Sequence, residues 1–248
     1  MTDALLEVEH VFVTFGGVHA VDDFSLSLPL GGRIAVIGPN GAGKSTLVKS
    51  IAGDLVPDAG DVRFEGRSVR RLSAPRRARL GIGRTFQNLE LFLSMSVLDN
   101  VLTAMDSEAT LFGSLHNVRR GANRKKRALD ALSLFDIDRY ADMLTSALPY
   151  GVRKLVELSQ VLVTEPRLLL LDEPVAGLHD SKEFVASLVE ALDRRECGVL
   201  LIEHDMPTVQ AICDSVYVLD SGQTIAQGSY AEVSMDARVI EAYLGVPS

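Results

Sequence analysis

Cysteine is nearly absent from this sequence, as are the features that would tie it to an oxidising compartment, a bilayer or a nucleic acid. The two cysteines, Cys197 and Cys213, cannot build a disulfide framework, and neither sits in a Cys-x-x-Cys pattern of a zinc or redox site. Both read as small core residues. No apolar run approaches the ~18 residues a membrane-spanning helix requires. Met1 to Leu6 lacks the basic segment and apolar stretch of a secretory leader. Any membrane role is therefore expected to come through a partner. With a net charge of -8 and a pI near 5.2, the chain has no global positive field to attract nucleic acid or anionic lipid. No internal repeat, low-complexity tract or long linker interrupts it, so it reads as one continuous fold.

What is present is ordinary globular material: 248 residues, 47% hydrophobic and 23% charged, enough for a substantial core. Alternation at Val11, Val13 and Phe15, and again at Phe24, Leu26 and Leu28, predicts one-faced strands of a small antiparallel layer. The unbroken runs Ile34 to Ile37, Leu168 to Leu171 and Val199 to Ile202 predict strands buried on both faces. Helical patterns lie between them, with Gly53 and Gly81 placed as stops after Leu47 to Ala52 and Pro75 to Leu80. That alternation predicts an α/β fold with a mainly parallel sheet. From about residue 90 to 156 no buried-strand run occurs, and Leu129, Leu132 and Phe135 recur at helical spacing. This stretch reads as an inserted helical subdomain.

Gly38-Pro39-Asn40-Gly41-Ala42-Gly43-Lys44-Ser45 satisfies the Walker A pattern and follows a buried strand, with Thr46 continuing into a helix. Glycines let backbone amides close around phosphates, Lys44 reaches the β and γ oxygens, and the helix N-terminus adds partial positive charge. Ser45 offers a hydroxyl to Mg²⁺. The alternative for this segment is a glycine-rich turn alone. A second strand, Leu168 to Leu171, ends in Asp172 and Glu173. Asp172 suits the Mg²⁺ shell, and Glu173 can polarise the attacking water as general base; taken alone, the pair would read as an acidic cap before Pro174. His204 follows the run Val199 to Glu203 at the carboxyl edge of the sheet, where ligands of open α/β folds bind. An imidazole there either contacts the γ-phosphate or is a structural hydrogen-bonding residue.

In order, the chain carries Walker A, Arg84-Thr85-Phe86-Gln87, Leu148-Pro149-Tyr150-Gly151, Asp172-Glu173 and Ile202-Glu203-His204-Asp205. Together these resemble the ATP-binding-cassette transporter ATPases across almost the whole chain. The resemblance implies a single P-loop NTPase cassette over residues 1–248, binding ATP and Mg²⁺ and hydrolysing ATP. It implies a sandwich dimer in which the signature loop, Leu148 to Val152, closes over the ATP of a partner subunit. It implies that Gln87 joins Mg²⁺ and the γ-phosphate to the helical subdomain, and that Phe15 stacks on adenine. Alternation alone would instead place Phe15 in the core with Val11 and Val13. Within the class, the segments above with Leu91-Phe92, Ala176-Gly177-Leu178, Met206 and the ending Ile240-Glu241-Ala242-Tyr243-Leu244-Gly245 are most similar to branched-chain amino-acid uptake ATPases. Urea, short-amide and lipopolysaccharide-export relatives share much of the pattern. The implied setting is the cytoplasmic face of the cell membrane, with permease subunits, a second ATPase subunit and, indirectly, a solute-binding protein as partners, and no nucleic acid.

Three departures from the family pattern concern the surface offered to a partner. Pro149 has neither hydroxyl nor backbone N–H where the usual signature has serine, Val152 lacks the usual glutamine amide, and His179 stands where many relatives have aspartate. A heterodimer with a second, similar ATPase is therefore expected ahead of a homodimer. Eight arginines from Arg63 to Arg84 face a single acidic residue, Glu65, with a smaller basic run at Arg119 to Arg127. Such runs read as solvated faces; Arg84 stays open because it lies close to Gln87. The apolar Leu89, Leu91, Phe92 and Leu93 are candidates to receive a permease helix. Rival functions are a soluble cassette ATPase of DNA repair or translation, which usually carries a coiled-coil insertion or second cassette absent here, an exporter ATPase, and a P-loop kinase or switch.

Overall fold

The computed structural model describes residues 4–85, 89–105, 117–179 and 181–244. The polypeptide divides into two compact units, one of Met1–Arg84, Arg167–Glu173 and Glu196–Ser248, the other of Thr85–Pro166 and Pro174–Arg195.

In the first unit, β1 (Ala4–Phe15) and β2 (Val18–Pro29) pair antiparallel through the Gly16-Gly17 turn, and β1 also pairs with β4 (Ala59–Phe64), which carries the short edge strand β5 (Arg67–Ser68). This is the antiparallel layer that the alternation predicts. The other sheet runs β10-β9-β3-β8-β7-β6, built from β3 (Arg33–Ile37), β6 (Ile82–Arg84), β7 (Leu168–Asp172), β8 (Gly198–Ile202), β9 (Ser215–Asp220) and β10 (Gln223–Gly228). Only β10 pairs antiparallel; β9, β3, β8, β7 and β6 are parallel neighbours. Every residue of β7 and β8 is buried, which is why their sequences lack alternation. Side chains of both sheets and of α1 (Lys44–Ala52) share one apolar cluster around Leu6, Phe24, Leu28, Leu47, Leu170 and Leu200. Each such fully buried leucine contributes about 1.5–3 kcal/mol.

Helix α1 stops where Gly53 turns left-handed and its N–H returns to Lys49. α2 (Ala74–Arg79) ends one residue earlier than expected, with Leu80 capping it before Gly81. The C-terminal part adds α7 (Met206–Ile212), α8 (Tyr230–Ser234) and α9 (Ala237–Leu244). Cys197 is buried, but Cys213 is only half-buried, so it is not the core residue expected; it follows the last turn of α7, and burial together with Asp214 raises its thiol pKa.

The second unit is helical, with α3 (Val97–Ala104), α4 (Asn117–Ser133), α5 (Tyr150–Leu162) and α6 (Lys182–Asp193) and no strand among its described residues. Leu132 is buried in α4, but the helix ends at Ser133, so Phe135 reaches the core from the following turn rather than from the predicted helical stripe. Buried Asn100 staples two loops: its amide donates to Phe92 O, Ser96 O and Thr145 Oγ1, and its Oδ1 accepts from Phe92 N.

Candidate active site

The turn from β3 into α1 approaches other backbone so closely that side chains are excluded. A Cβ on Gly43, at φ 103, would lie 2.0 Å from Ala20 O, and one on Gly38 would lie 2.1 Å from Leu219 O. Asn40 and Gly41 form the exposed crown of this loop, Pro39 is half-buried beside them, and Ala42 is its buried side. At the N-terminus of α1 the amides of the first turn have no intrahelical acceptor, no acidic side chain competes there, and Ser45 is exposed beside half-buried Thr46. Buried Lys44 folds back over the loop, its Nζ donating to Gly38 O at 2.6 Å and Pro39 O at 2.8 Å. Burial lowers the ammonium pKa, while Glu173 and Asp172 oppose that shift.

Those two carboxylates come from the end of β7. Asp172 is the last ladder residue, opposite Ile202, and is buried; Glu173 then turns to φ 49 and donates its N–H to Ile202 O at 2.9 Å. A non-glycine residue in the left-handed region breaks the strand's alternation and swings the side chain away from Asp172's direction. Burial raises the Asp172 carboxyl pKa, Arg84 opposes this, and Glu173 raises it further. Arg84 Nη2 sits 3.5 Å from Asp172 Oδ2 and its Nη1 pairs with Asp54. Arg84 is thus an internal partner of the acidic pair rather than part of a solvated face.

His204 follows β8 and reaches the same place. Its side chain is 62% exposed, with Nδ1 3.8 Å from Glu173 Oε1 and 3.5 Å from Glu203 Oε2. Phe15, in contrast to Val11 and Val13 on its alternation face, is 53% exposed. It ends β1 at the glycine turn, where no layer remains to cover it. The structure thus assembles Lys44, Asp172, Glu173, His204 and Arg84 around one end of the parallel sheet. Gln87 lies outside the described residues.

In the second unit the signature segment opens α5. Leu148 is buried, Pro149 occupies the N-cap position, and Tyr150, Gly151 and Val152 form the first turn. Proline fits there because the missing N–H would have had no helical partner. The Lys154 ammonium lies 5.7 Å from the Tyr150 ring centroid. The same ring covers Gly177, where a Cβ would meet Tyr150 Cε1 at 3.2 Å. His179, two residues on, is exposed.

Two features were not legible beforehand. Arg77, one of the eight clustered arginines, is fully buried: Nη1 donates to Ser50 O and Ile51 O at 2.7 and 2.6 Å, Nε to Leu72 O and Nη2 to Arg70 O, each at 3.0 Å. It caps the C-terminal end of the helix whose other end forms the phosphate loop. Burial lowers its pKa to about 10, with Asp54 opposing. The second is Glu203, whose carboxylate is fully buried beside exposed His204.

A family model described as ABC transporter matches residues 21–176, and one described as branched-chain amino acid ATP-binding cassette transporter matches 223–247. The chain is 35% identical to the high-affinity branched-chain amino acid transport ATP-binding protein LivG of Salmonella typhimurium, covering 99% of both. It is 30% identical to the lipopolysaccharide export system ATP-binding protein LptB of Escherichia coli, covering 98% of both. Among solved structures, the ADP conformation of MJ1267, an ATP-binding cassette of an ABC transporter, superposes with a TM-score of 0.85 at 30% identity, over 98% of this chain and 99% of that one. The phosphate loop and the paired carboxylates lie within the match over 21–176, and the chain belongs to the ABC transporter family, as one of its ATP-binding and ATP-hydrolysing subunits.

Proposed function

We propose that this subunit powers import of branched-chain amino acids, or of a related small polar solute such as urea or a short amide, from the cytoplasmic face of the cell membrane. The observation that carries this reading is the full-length similarity to LivG together with the match of the C-terminal segment 223–247 to the branched-chain model. The 30% identity to LptB supports an exporter as the second reading. No helix among the described residues is long and apolar enough to cross a membrane; in this reading the work is delivered to permease subunits. The helical stretch at about 90–156 of the single 1–248 cassette offers a surface for them. Phe92, Leu93, Met95, Met143 and Leu144 are all exposed there, and their two segments are tied by Thr145 N to Met95 O at 3.0 Å and Ser146 N to Leu93 O at 3.2 Å. An apolar patch on a rigid backing suits one face of a permease helix.

At the site, Gly38, Pro39, Asn40, Gly41, Ala42, Gly43, Lys44, Ser45 and Thr46 hold the phosphates, and Phe15 stacks on adenine. Glu173 accepts a proton from the attacking water, and His204 contacts the γ-phosphate. A hydroxyl at Ser45 and a buried carboxylate at Asp172, whose pKa is raised by burial against the opposing charge of Arg84, are hard oxygen donors that fit Mg²⁺, with Gln87 as a third. Held by these residues, Mg²⁺ would supply positive charge to offset that of the phosphates.

Leu148, Pro149, Tyr150, Gly151 and Val152 act on the ATP of a second ATPase subunit. Losing the serine and glutamine groups removes hydrogen bonds to phosphate worth roughly 1.5–3 kcal/mol each, which favours a heterodimer. A solute-binding protein selects the cargo, and no nucleic acid takes part. Deleting the gene and measuring uptake of leucine, isoleucine, valine, urea and short amides tests the reading; unchanged uptake of all of them refutes it. A tight ATP-dependent homodimer of the Glu173→Gln chain, seen by its mass in solution, would refute the heterodimer.

A further inference from the structure

Glu203 directly follows the last residue of β8 and its carboxylate is fully buried, although the next residue projects into solvent. Its Oε2 accepts from the backbone N–H of His204 at 2.9 Å and of Asp205 at 3.2 Å, and lies 3.5 Å from His204 Nδ1. Asp205 in turn caps α7, accepting from Thr208 N at 3.0 Å and Thr208 Oγ1 at 2.5 Å. Two carboxylates, one on each side of His204 in the sequence, thus fix its backbone. Among the described residues the imidazole's ion-pair contacts run through Nδ1, to Glu203 and, at 3.8 Å, to Glu173 Oε1. An exposed side chain with one anchored edge owes its direction to that anchor.

The geometry points to Glu203 as a positioning residue: it holds the Nδ1 edge of His204 against the end of β8, turns Nε2 outward, and affects ATP hydrolysis only through His204. This rests on the reading that His204 contacts the γ-phosphate. Burying a carboxylate is unfavourable unless it is matched, and Glu203 Oε2 is matched by the two amides and lies beside the ring it orients.

Glu203→Gln separates the two roles, because a glutamine oxygen still accepts from both amides while the charge beside the imidazole is lost. In the full chain with Mg²⁺ and ATP, Glu203→Gln is expected to lower kcat about tenfold, with the KM for ATP within about twofold. The decisive measurement is the cycle with His204→Ala. If Glu203 acts through His204, the double variant hydrolyses ATP no more slowly than His204→Ala alone. Multiplicative losses in the double variant overturn the proposal while leaving His204's role intact. Wild-type turnover by His204→Ala overturns both. Should Glu203→Gln fail to fold, as judged by its thermal midpoint, Glu203→Asp, which keeps the charge with a shorter reach, is run through the same cycle with the same deciding outcomes.

Discussion

Replacing Arg77 with methionine keeps an unbranched stem of similar size and removes the guanidinium. Four carbonyls then lose a donor, those of Ser50 and Ile51 in buried bonds and those of Arg70 and Leu72 in part-buried ones. Each buried group left unsatisfied costs about 1–3 kcal/mol, so the gross loss has an upper bound of about 12 kcal/mol. Against this, the variant no longer desolvates a cation, whose effective penalty is several kcal/mol. The expected net destabilisation is about 3 kcal/mol, which for a chain of this size lowers the melting temperature by about 6–12 °C. Arg77→Lys keeps the charge but cannot span four acceptors from one nitrogen, and is expected to fall between the two. Circular dichroism melts of the three proteins without nucleotide measure this. A melting temperature for Arg77→Met within about 2 °C of the wild type would show that the four carbonyls do not depend on Arg77.

Lys44→Ala is expected to abolish phosphate release while leaving the circular dichroism spectrum unchanged; wild-type turnover would remove the site assignment. Glu173→Gln keeps the side chain's shape and removes the base, so turnover is expected to fall about 10²–10⁴-fold with ATP affinity retained; unchanged turnover would place the base elsewhere. Because burial lowers the Lys44 pKa, its charge is lost as pH rises through that lowered value. ATP affinity should therefore begin to fall at a lower pH than a solvated lysine would allow, by fluorescent-nucleotide titration; a fall only at the ordinary lysine pKa would contradict it. Ser229 and Glu232 form a reciprocal cap on α8, Ser229 N donating to Glu232 Oε2 at 2.7 Å and Glu232 N to Ser229 Oγ at 3.3 Å. Ser229→Ala should cost about 1 kcal/mol in a urea unfolding curve, and an unshifted midpoint would show the cap to be idle.

The parallel strands were legible because full burial leaves no polar residue in Leu168–Leu171 or Val199–Ile202, and burial is a property of composition. Phe15 was not, since alternation reports which side of a strand a residue faces and says nothing of whether the layer extends that far. Phe135 continues a helical spacing beyond the point where the helix stops, because an apolar residue in a turn reaches the same core. Arg77 was hidden among Arg76 and Arg79 for a related reason: a cluster's average reads as solvated, and the one inward residue is fixed by carbonyls of Ser50 and Ile51 more than 20 positions away. At the site, the residue types were legible and their support was not. Glu203 stood in plain view in its motif, but only the fold reveals its burial.

The Lys44 ammonium has two acceptors within its own loop, the carbonyls of Gly38 and Pro39. Any anion that draws on this charge must therefore compete with a pair of hydrogen bonds already made. A terminal diphosphate or triphosphate outbids them with ionised oxygens, whose charge-assisted bonds are roughly twice as strong as bonds to neutral groups. A nucleoside monophosphate places no oxygen at the β position, so the ammonium gains nothing by leaving. With Lys44 as the proposed phosphate ligand, selectivity by phosphate count would follow from an internal competitor rather than from a steric wall, and it would persist for any base on the nucleoside.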